Sequence, residues 1–210
     1  MSENLRASWE VRHRVQRMGA PEPFVAEMLP LLPRGVALDI AAGTGRHSLL
    51  LARSGFHVHA IDFSMPAMFN LGAAAAAENL PVYPLVADLE TYPLPSQRYD
   101  AILNTTYLDR ELIPALKDAL KIGGAFLFDT FLIDQAETGH PRNPAFMLNH
   151  YELRSLLSGL EISRYREGIT VYPSGNNAWR AGAVAFSISA RSPAFRSTRS
   201  LPSTTRQKRM

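Results

Sequence analysis

The sequence has no cysteine among its 210 residues, which excludes disulfides, thiolate metal ligands and cysteine nucleophiles. Long apolar runs are also absent, because charged residues, glycine or proline interrupt each one well before the roughly 18 residues of a membrane span. Residues 1–6 lack the charged-then-apolar layout of a secretory signal. Together these absences predict a cytoplasmic protein without a membrane partner, long enough for one full-sized domain.

Acidic residues are missing from the last 20 residues, where six of the 22 basic residues lie. The other 16 basic residues stand against 19 acids, so residues 1–190 carry a net charge of −3 although the whole chain carries +3. A segment of Ser, Thr, Pro and Arg has too little apolar surface to fold alone, so residues 191–210 are predicted to be a disordered basic tail. Nucleic-acid binding through this tail is the less favoured alternative to a solvated extension.

Apolar strands alternate with helical patterns over most of the chain, which predicts an α/β fold. The expected architecture is a doubly wound, Rossmann-like, mostly parallel sheet with helices on both faces. Residues 1–34 are predicted as an N-terminal helical cap and residues 35–190 as the main domain, which ends in an antiparallel hairpin around the turn-rich segment 173–177. The predicted strands are 36–40, 56–61, 82–87, 99–103, 125–129, 160–172 and 178–190, and the predicted helices are 5–18, 24–32, 45–54, 64–79, 109–120 and 151–157.

The segment 37–46, Ala-Leu-Asp-Ile-Ala-Ala-Gly-Thr-Gly-Arg, carries the most specific information in the chain. An apolar strand ends near an acid, turns through small residues and enters a helix. Ala41, Gly43 and Gly45 have no bulky side chain, so a ligand can lie against the backbone of the turn. The helix directs its free N–H groups and its positive dipole end at the same place. The turn therefore predicts a site for a nucleotide-like cofactor.

Three of the predicted strands end in an acid: Asp39, Asp62 and Asp88. In an open α/β sheet the ligand lies across the carboxyl ends of the strands, where these carboxylates would meet. Asp62 follows Gly43 by 19 residues, about the spacing that brings a carboxylate to ribose hydroxyls. Asp88 is placed to accept from an exocyclic amine such as that of adenine, with a role as a helix or turn cap as the alternative.

The charge of the turn distinguishes between adenosine cofactors. NAD and ATP carry phosphates, which a carboxylate beside the turn would repel. The turn also has neither the G-x-G-x-x-G of a dinucleotide site nor the Gly-Lys-Ser/Thr of a P-loop. S-adenosylmethionine has no phosphate, and Asp39 would attract its α-ammonium and sulfonium groups. The site therefore favours S-adenosylmethionine.

Five segments in order make the chain resemble a class I S-adenosylmethionine-dependent methyltransferase. They are ALDIAAGTGR (37–46), HVHAIDFS (57–64), VADLETYPLP (86–95), YDAILN (99–104) and LKIGGAFLFDTF (120–131). Within this class the chain resembles the tellurite-resistance-type (TehB-like) branch, on the segments WExRH (9–13), PRNP (141–144) and YREG (165–168). Ala41 stands where the commoner family form has its first glycine, and alanine is small enough to preserve binding.

The resemblance implies that the turn and the strand ends hold the cofactor. The methionyl part would lie near Asp39, with its α-ammonium at the backbone carbonyl of Asn104. A cation of the first helix, Arg12 or Arg14, would pair with the α-carboxylate. The implied cofactor-binding residues are Trp9, Arg14, Asp39, Ala41, Gly43, Gly45, Asp62, Phe63, Asp88, Leu89 and Asn104.

The same resemblance divides the adenosine between two strand ends. Asp62 would bind the ribose and Phe63 would flank the adenine, while Asp88 and Leu89 would bracket the base from the other side.

The methyl-transfer pocket has no assigned catalytic residue. Trp9 and Tyr107 are candidates for its walls. Arg142 and Asn143 are further pocket candidates, which either hold an anionic substrate or order their own loop. The N-terminal helix and residues 131–150 are predicted to cover this pocket.

Several noticeable side chains have structural interpretations. His57 and His59 share one face of a strand, but no third ligand or cysteine accompanies them, so packing is favoured and no metal is predicted. Trp179 and Arg180 are interpreted as strand packing with a solvated partner. The segment 165–167 fits a structural ion pair as well as a pocket wall.

The predicted function is methyl transfer from S-adenosylmethionine to a small molecule. No strong general-base constellation is evident, which favours a soft or already ionised acceptor such as a thiol or a metalloid oxyanion. The alternatives are an NAD(P)-dependent oxidoreductase, and a non-catalytic module that binds the cofactor or docks nucleic acid.

Overall fold

A single seven-stranded sheet organises the protein, in a computed structural model that describes residues 9, 11, 18–172 and 175–188. The strands are β1 Val36–Ile40, β2 His57–Asp62, β3 Val82–Val86, β4 Tyr99–Thr105, β5 Leu120–Phe131, β6 Leu160–Val171 and β7 Asn177–Ser187. Their order in the sheet is β3-β2-β1-β4-β5-β7-β6. The first five strands are parallel, and β7 is antiparallel to both β5 and β6. The predicted mostly parallel sheet with a C-terminal hairpin is confirmed.

Helices cover both faces of the sheet. They are α1 Pro23–Met28, α2 Arg46–Arg53, α3 Met65–Ala77, α4 Ile113–Ala119, α5 Gln135–Thr138 and α6 Glu152–Leu156, with 3-10 turns at Leu29–Leu31 and Pro144–Phe146. One buried cluster packs the sheet against α1, α2 and α3, and a second packs the other face against α4 and α6. Strand β1 shows how both faces of the sheet are shielded from solvent. Ala37 belongs to the first buried cluster, and Leu38 and Ile40 belong to the second.

Several element boundaries differ from the predicted ones. Helix α4 is shorter than predicted, because Asp109 caps a turn by accepting from the backbone N–H of Glu111 (3.0 Å) before the helix begins. Strand β5 starts at Leu120 rather than at Ala125, with a register shift opposite Tyr99. Gly124 lies within this irregularity, where a Cβ atom would come within 2.9 Å of the Lys121 carbonyl oxygen.

The described part of the N-terminal region packs into the domain core. Phe24, Val25, Met28 and Leu32 are all buried in the cluster on the α2–α3 face. The predicted helix at 5–18 lies mostly outside the described residues, of which Trp9 and Val11 are helical. The predicted tail, 191–210, lies outside them altogether. Within the described residues, no helix is long and apolar enough to cross a membrane.

Candidate active site

The glycine turn between β1 and α2 has three residues in the left-handed region of backbone conformation. Ala41 has φ 48°, Gly43 has φ 54° and Gly45 has φ 83°. At Gly45 a Cβ atom would lie 2.3 Å from a methyl carbon of Leu71 on α3, so close packing as well as conformation requires glycine. The backbone N–H of Ala42 donates to the Ile61 carbonyl oxygen at 3.0 Å, which ties the turn to β2.

Asp62 fastens the glycine turn to the end of β2. Its side chain is 4% exposed, and its two oxygens accept from the backbone N–H groups of Gly43 (2.8 Å) and Ser64 (2.9 Å). Ser64 in turn caps α3 by accepting from the backbone N–H of Ala67. Each carboxylate oxygen has two lone pairs, so Asp62 retains capacity to accept from hydroxyl groups of a ligand.

Asp39 has a buried carboxyl group of which only one oxygen accepts a hydrogen bond among the described residues. The residue is fully buried, and the Ser48 hydroxyl donates to its Oδ2 at 2.6 Å. The other oxygen, Oδ1, has no hydrogen-bond partner among the described residues. Burial raises the pKa of Asp39 to about 7, although the Ser48 hydrogen bond opposes this shift, and the charge of Asp62 adds to it. A cationic ligand placed here would be attracted and would lower this pKa.

Asn104 contributes two more buried polar atoms at the same edge of the sheet. It lies near the end of β4, beside Ile40 of β1 and Phe128 of β5, and is 1% exposed. Its side-chain nitrogen and oxygen both lack a partner within the described part of the chain. Buried polar atoms normally find hydrogen bonds, so these orphaned groups and Asp39 Oδ1 fit a site that a polar ligand completes.

Asp88 and Leu89 begin the loop that follows β3. Asp88 Oδ1 accepts from the Glu90 N–H at 3.1 Å, and its carbonyl oxygen accepts from the Tyr92 N–H at 2.8 Å. The alternative role of Asp88 as a turn cap is therefore present in the structure. The Ala87 N–H donates to the Asp62 carbonyl oxygen at 3.0 Å, which brings this loop beside the predicted ribose site. Leu89 is buried in the core, and Phe63 on the β2 side is half-buried.

The predicted pocket candidates are spread over different environments. Tyr107 is half-buried, and its pKa is raised by burial and by the carboxylates of Asp109, Glu90 and Asp88. Arg142 and Asn143 are exposed. Asn143 orders its own loop by accepting from the Ala145 N–H at 3.0 Å. The predicted cofactor ligand Arg14, like Arg12, lies outside the described residues, and Trp9 is helical and half-buried.

The two histidines of β2 pack against aromatic rings. His57 stacks on Tyr83, and His59 makes edge contacts with the rings of Tyr83 and Tyr99. This agrees with the interpretation that they serve packing.

A buried ion pair near the end of β5 was not predicted from the sequence. Arg180 of β7 is 1% exposed and pairs with the fully buried Asp129 at 2.7 Å, so the expectation of a solvated partner for Arg180 was wrong. Arg166 of β6 also donates to Asp129, at 3.1 Å. The antiparallel pairing of Asp129 with Gly182, and of Gly182 with Arg166, brings these three side chains together. The sequence carries no local signal of this pairing, because it joins strands that are distant along the chain.

A second buried group links the N-terminal region to α2. The backbone N–H of Glu22 donates to His47 Nε2 at 3.0 Å. The carboxylate of Glu22 accepts from Arg46 and from the hydroxyl of Tyr172, each at 2.7 Å. Burial opposes the charge of Glu22, but Arg180, Tyr172 and Arg46 lower its pKa overall. Glu22 therefore joins the start of α2 to the end of the hairpin.

His47 is held neutral in a defined tautomer. A backbone N–H can only donate, so Nε2 of His47 must be the acceptor for Glu22. Its Nδ1 therefore carries the proton and donates to Thr105 Oγ1, 3.1 Å away. Burial, together with the charge of Arg46, lowers the pKa of His47 to about 3. His47 cannot act as a base here, because both of its nitrogens are engaged.

Known proteins share this fold and sequence pattern. Residues 37–124 match the family model described as a methyltransferase domain. TehB from Haemophilus influenzae has a TM-score of 0.70 at 22% identity, over 85% of this chain and 66% of TehB. A S-adenosylmethionine-dependent methyltransferase structure from Methanosarcina mazei has a TM-score of 0.65 at 19% identity, over 81% of this chain and 99% of that one.

Hemagglutinin 1 of Eikenella corrodens is 24% identical over 163 residues, which are 75% of this chain and 54% of that protein. The chain thus spans about half the length of this curated relative.

The fold, the glycine turn and the family match over residues 37–124 are similar to those of class I S-adenosylmethionine-dependent methyltransferases. The predicted resemblance is confirmed, including its similarity to the TehB-like branch. S-adenosylmethionine is the cofactor of this domain, and its phosphate-free, cationic chemistry fits the unpaired oxygen of Asp39.

Proposed function

We propose that this protein transfers the methyl group of S-adenosylmethionine to a small, soft nucleophile such as a thiol or a metalloid oxyanion. S-adenosylmethionine supplies a methyl group that its sulfonium already activates. The protein then contributes chiefly alignment of the acceptor with that methyl group. The observation that carries the proposal is the engagement of His47, Glu22 and Asp129, the titratable groups near the ends of β4 and β5. The unpaired oxygen of Asp39 is assigned to the cofactor instead.

Those titratable groups already have partners. His47 uses both ring nitrogens, Glu22 accepts from Arg46 and Tyr172, and Asp129 pairs with Arg180 and Arg166. An amine or alcohol acceptor would call for a general base to take its proton. A thiolate or a metalloid oxyanion needs none, which favours this class of acceptor. The resemblance to the tellurite-resistance-type branch supports the same choice.

In this proposal the cofactor-binding roles follow the residues named above. Asp39 would face the cationic methionyl part, and Asp62 would accept from the ribose hydroxyls with the lone pairs that Gly43 and Ser64 leave unused. The backbone carbonyl of Asn104 would accept from the α-ammonium. Phe63, Asp88 and Leu89 would surround the adenine, and Tyr107 would form part of the acceptor pocket.

A methyl-transfer screen tests the proposal directly. The purified full-length protein is incubated with methyl-labelled S-adenosylmethionine and, in turn, with thiols, selenite, tellurite, arsenite and small amines. We expect labelled product with a thiol or an oxyanion and none with the amines. Turnover confined to amines would contradict the assigned acceptor class.

Two further measurements address the alternatives. Calorimetry that showed tight NAD(H) binding and no S-adenosylhomocysteine binding would favour an oxidoreductase. A variant that lacks residues 191–210 tests the nucleic-acid-docking alternative, since unchanged turnover would exclude a role for the tail in the reaction.

A further inference from the structure

Thr105 presents a buried hydroxyl proton that has no acceptor within the described part of the chain. It is the last residue of β4, is 6% exposed, and pairs in register with Asp129 of β5. Its oxygen accepts the proton of His47 Nδ1 at 3.1 Å, so its own proton must point away from that ring. His47 cannot reverse this polarity, because the Glu22 N–H occupies its other nitrogen.

Three guanidinium groups belong to the hydrogen-bond networks of Glu22 and Asp129, which border His47 and Thr105. Arg46 pairs with Glu22, while Arg166 and Arg180 both pair with Asp129. Arg166 also has a buried Nε without a partner in the described structure. An orphaned donor in a neighbourhood of guanidinium groups fits an anionic group of a ligand.

The position of Thr105 suggests which anion this is. Asn104, the preceding residue, is the proposed partner of the cofactor's α-ammonium. An α-amino acid carries its carboxylate on the same carbon as its ammonium, so a donor one residue along β4 is well placed for the carboxylate. Asp39, the proposed partner of the cofactor's cationic part, lies on β1, in register with Leu103 two residues before Thr105.

We propose that the Thr105 hydroxyl donates to the methionyl carboxylate of the cofactor, and that His47 is the positioning residue that aims this hydroxyl. The proposal rests on S-adenosylmethionine as the cofactor and on the assigned α-ammonium site. The other source of such an anion is an oxyanion acceptor, which the experiment separates.

Binding of cofactor analogues tests this without measuring catalysis. Calorimetry compares the wild-type protein with Thr105→Val, which removes the hydroxyl, and Thr105→Ser, which keeps it. The ligands are S-adenosylhomocysteine, its decarboxylated amine analogue, and 5′-methylthioadenosine, which lacks the whole amino-acid part. We expect Thr105→Val to bind S-adenosylhomocysteine about tenfold more weakly and to bind the other two ligands as the wild type does. Thr105→Ser should restore most of the affinity.

Three outcomes would overturn the proposal. Equal weakening of all three ligands would show a structural effect of the substitution. Unchanged binding of S-adenosylhomocysteine would show that the hydroxyl does not reach the carboxylate. A Thr105→Val variant that binds all three ligands normally but has a raised KM for tellurite would place the anion on the acceptor. Failure of the wild type to bind S-adenosylhomocysteine would instead contradict the cofactor assignment itself.

The role of His47 has its own readout. Nitrogen NMR of the ring should show the neutral Nδ1–H tautomer from pH 5 to pH 8, in the free protein and with S-adenosylhomocysteine bound. A ring that carries a proton on both nitrogens, or the neutral Nε2–H tautomer, would contradict the positioning role.

Discussion

Asp39 and Asp129 are the same residue type, on the same face of one sheet, and both are fully buried. Their surroundings differ. Asp129 pairs with two arginines of the C-terminal hairpin, Arg166 and Arg180. Asp39 accepts one hydrogen bond from Ser48 and keeps an oxygen without a partner among the described residues. A carboxylate that the protein neutralises itself is structural, whereas one that it leaves unpaired is prepared for a cation from outside.

The difference follows from where each carboxylate lies in the sheet. Strand β5 borders the antiparallel β7, whose Arg180 can reach across to Asp129. Although burial opposes its charge, Asp129 and Glu22 raise the pKa of Arg180 overall. Strand β1 lies between the parallel strands β2 and β4. Arg46 follows the glycine turn at the end of β1, but its guanidinium pairs with Glu22 at 2.7 Å.

Removal of the buried guanidinium of Arg180 should have the largest effect on stability. Arg180→Met would leave Asp129 buried with only the partly exposed Arg166, and should lower the free energy of unfolding by about 3–5 kcal/mol. Urea denaturation measures this loss. Adding Asp129→Asn to the same protein should recover much of the stability, and a double variant as unstable as Arg180→Met alone would contradict the ion-pair explanation.

The matching change at the other carboxylate should affect binding rather than stability. Asp39→Asn keeps an oxygen for the Ser48 hydroxyl but removes the negative charge. Affinity for S-adenosylmethionine should fall about tenfold, or about 1.4 kcal/mol, because one charge interaction with the cation is lost. Calorimetry at pH 8 measures it, and stability there should not fall. Undiminished affinity would show that Asp39 does not face the cationic part of the cofactor.

The raised pKa of Asp39 predicts that the wild type and Asp39→Asn differ in stability by an amount that depends on pH. In the folded protein the Asp39 carboxyl has a pKa of about 7, above its ordinary value of 3.8. Its stabilising contribution is therefore present below pH 3.8 and is lost as pH rises through 7. The wild type should therefore lose stability relative to Asp39→Asn between pH 4 and pH 8, on the order of 4 kcal/mol. Parallel urea denaturation series over this range measure the difference.

His47 contributes a pH dependence of the opposite sign. Its pKa in the folded protein, about 3, lies below the ordinary value of 6.5, so its stabilising contribution is present above pH 6.5 and is lost as pH falls towards 3. The wild type and Asp39→Asn both contain His47, so this contribution cancels when their free energies of unfolding are subtracted. A difference in free energy of unfolding that did not change with pH would contradict the unpaired, buried state of Asp39.

The smallest expected effect concerns Arg166, the second arginine on Asp129. Its side chain is 30% exposed, and its guanidinium also lies over the ring of Phe24. Arg166→Met keeps an unbranched side chain over that ring and leaves Arg180 in place, so the loss of stability should be at most about 1 kcal/mol. Urea denaturation of Arg166→Met and Arg180→Met measures which variant loses more stability. Equal losses in the two variants would show that Arg180 is not the principal partner of Asp129.

The sequence predicted the parallel strands β1–β4 and their glycine turn more fully than the C-terminal hairpin of β6 and β7. The turn at 37–46, the three acids and the alternation of strands and helices are local patterns, and each has a local physical cause. The partners of Asp129 escaped prediction because Arg166 and Arg180 reach it only through strand pairing. Gly45 was predicted to leave room for the cofactor, and its contact with Leu71 of α3 adds a packing requirement that no local pattern contains.

By itself the sequence predicted a cofactor site, through small residues in a turn and an acid whose charge repels phosphate but attracts a sulfonium. Only the tertiary structure decided which buried charges are neutralised within the protein and which are left without a partner. The reason is that pairing of Asp129 with Arg180, and of Thr105 with His47, depends on strands and helices brought together by folding. Asp129 therefore has its partners within the protein, whereas Asp39 at the predicted cofactor site keeps an oxygen unpaired among the described residues.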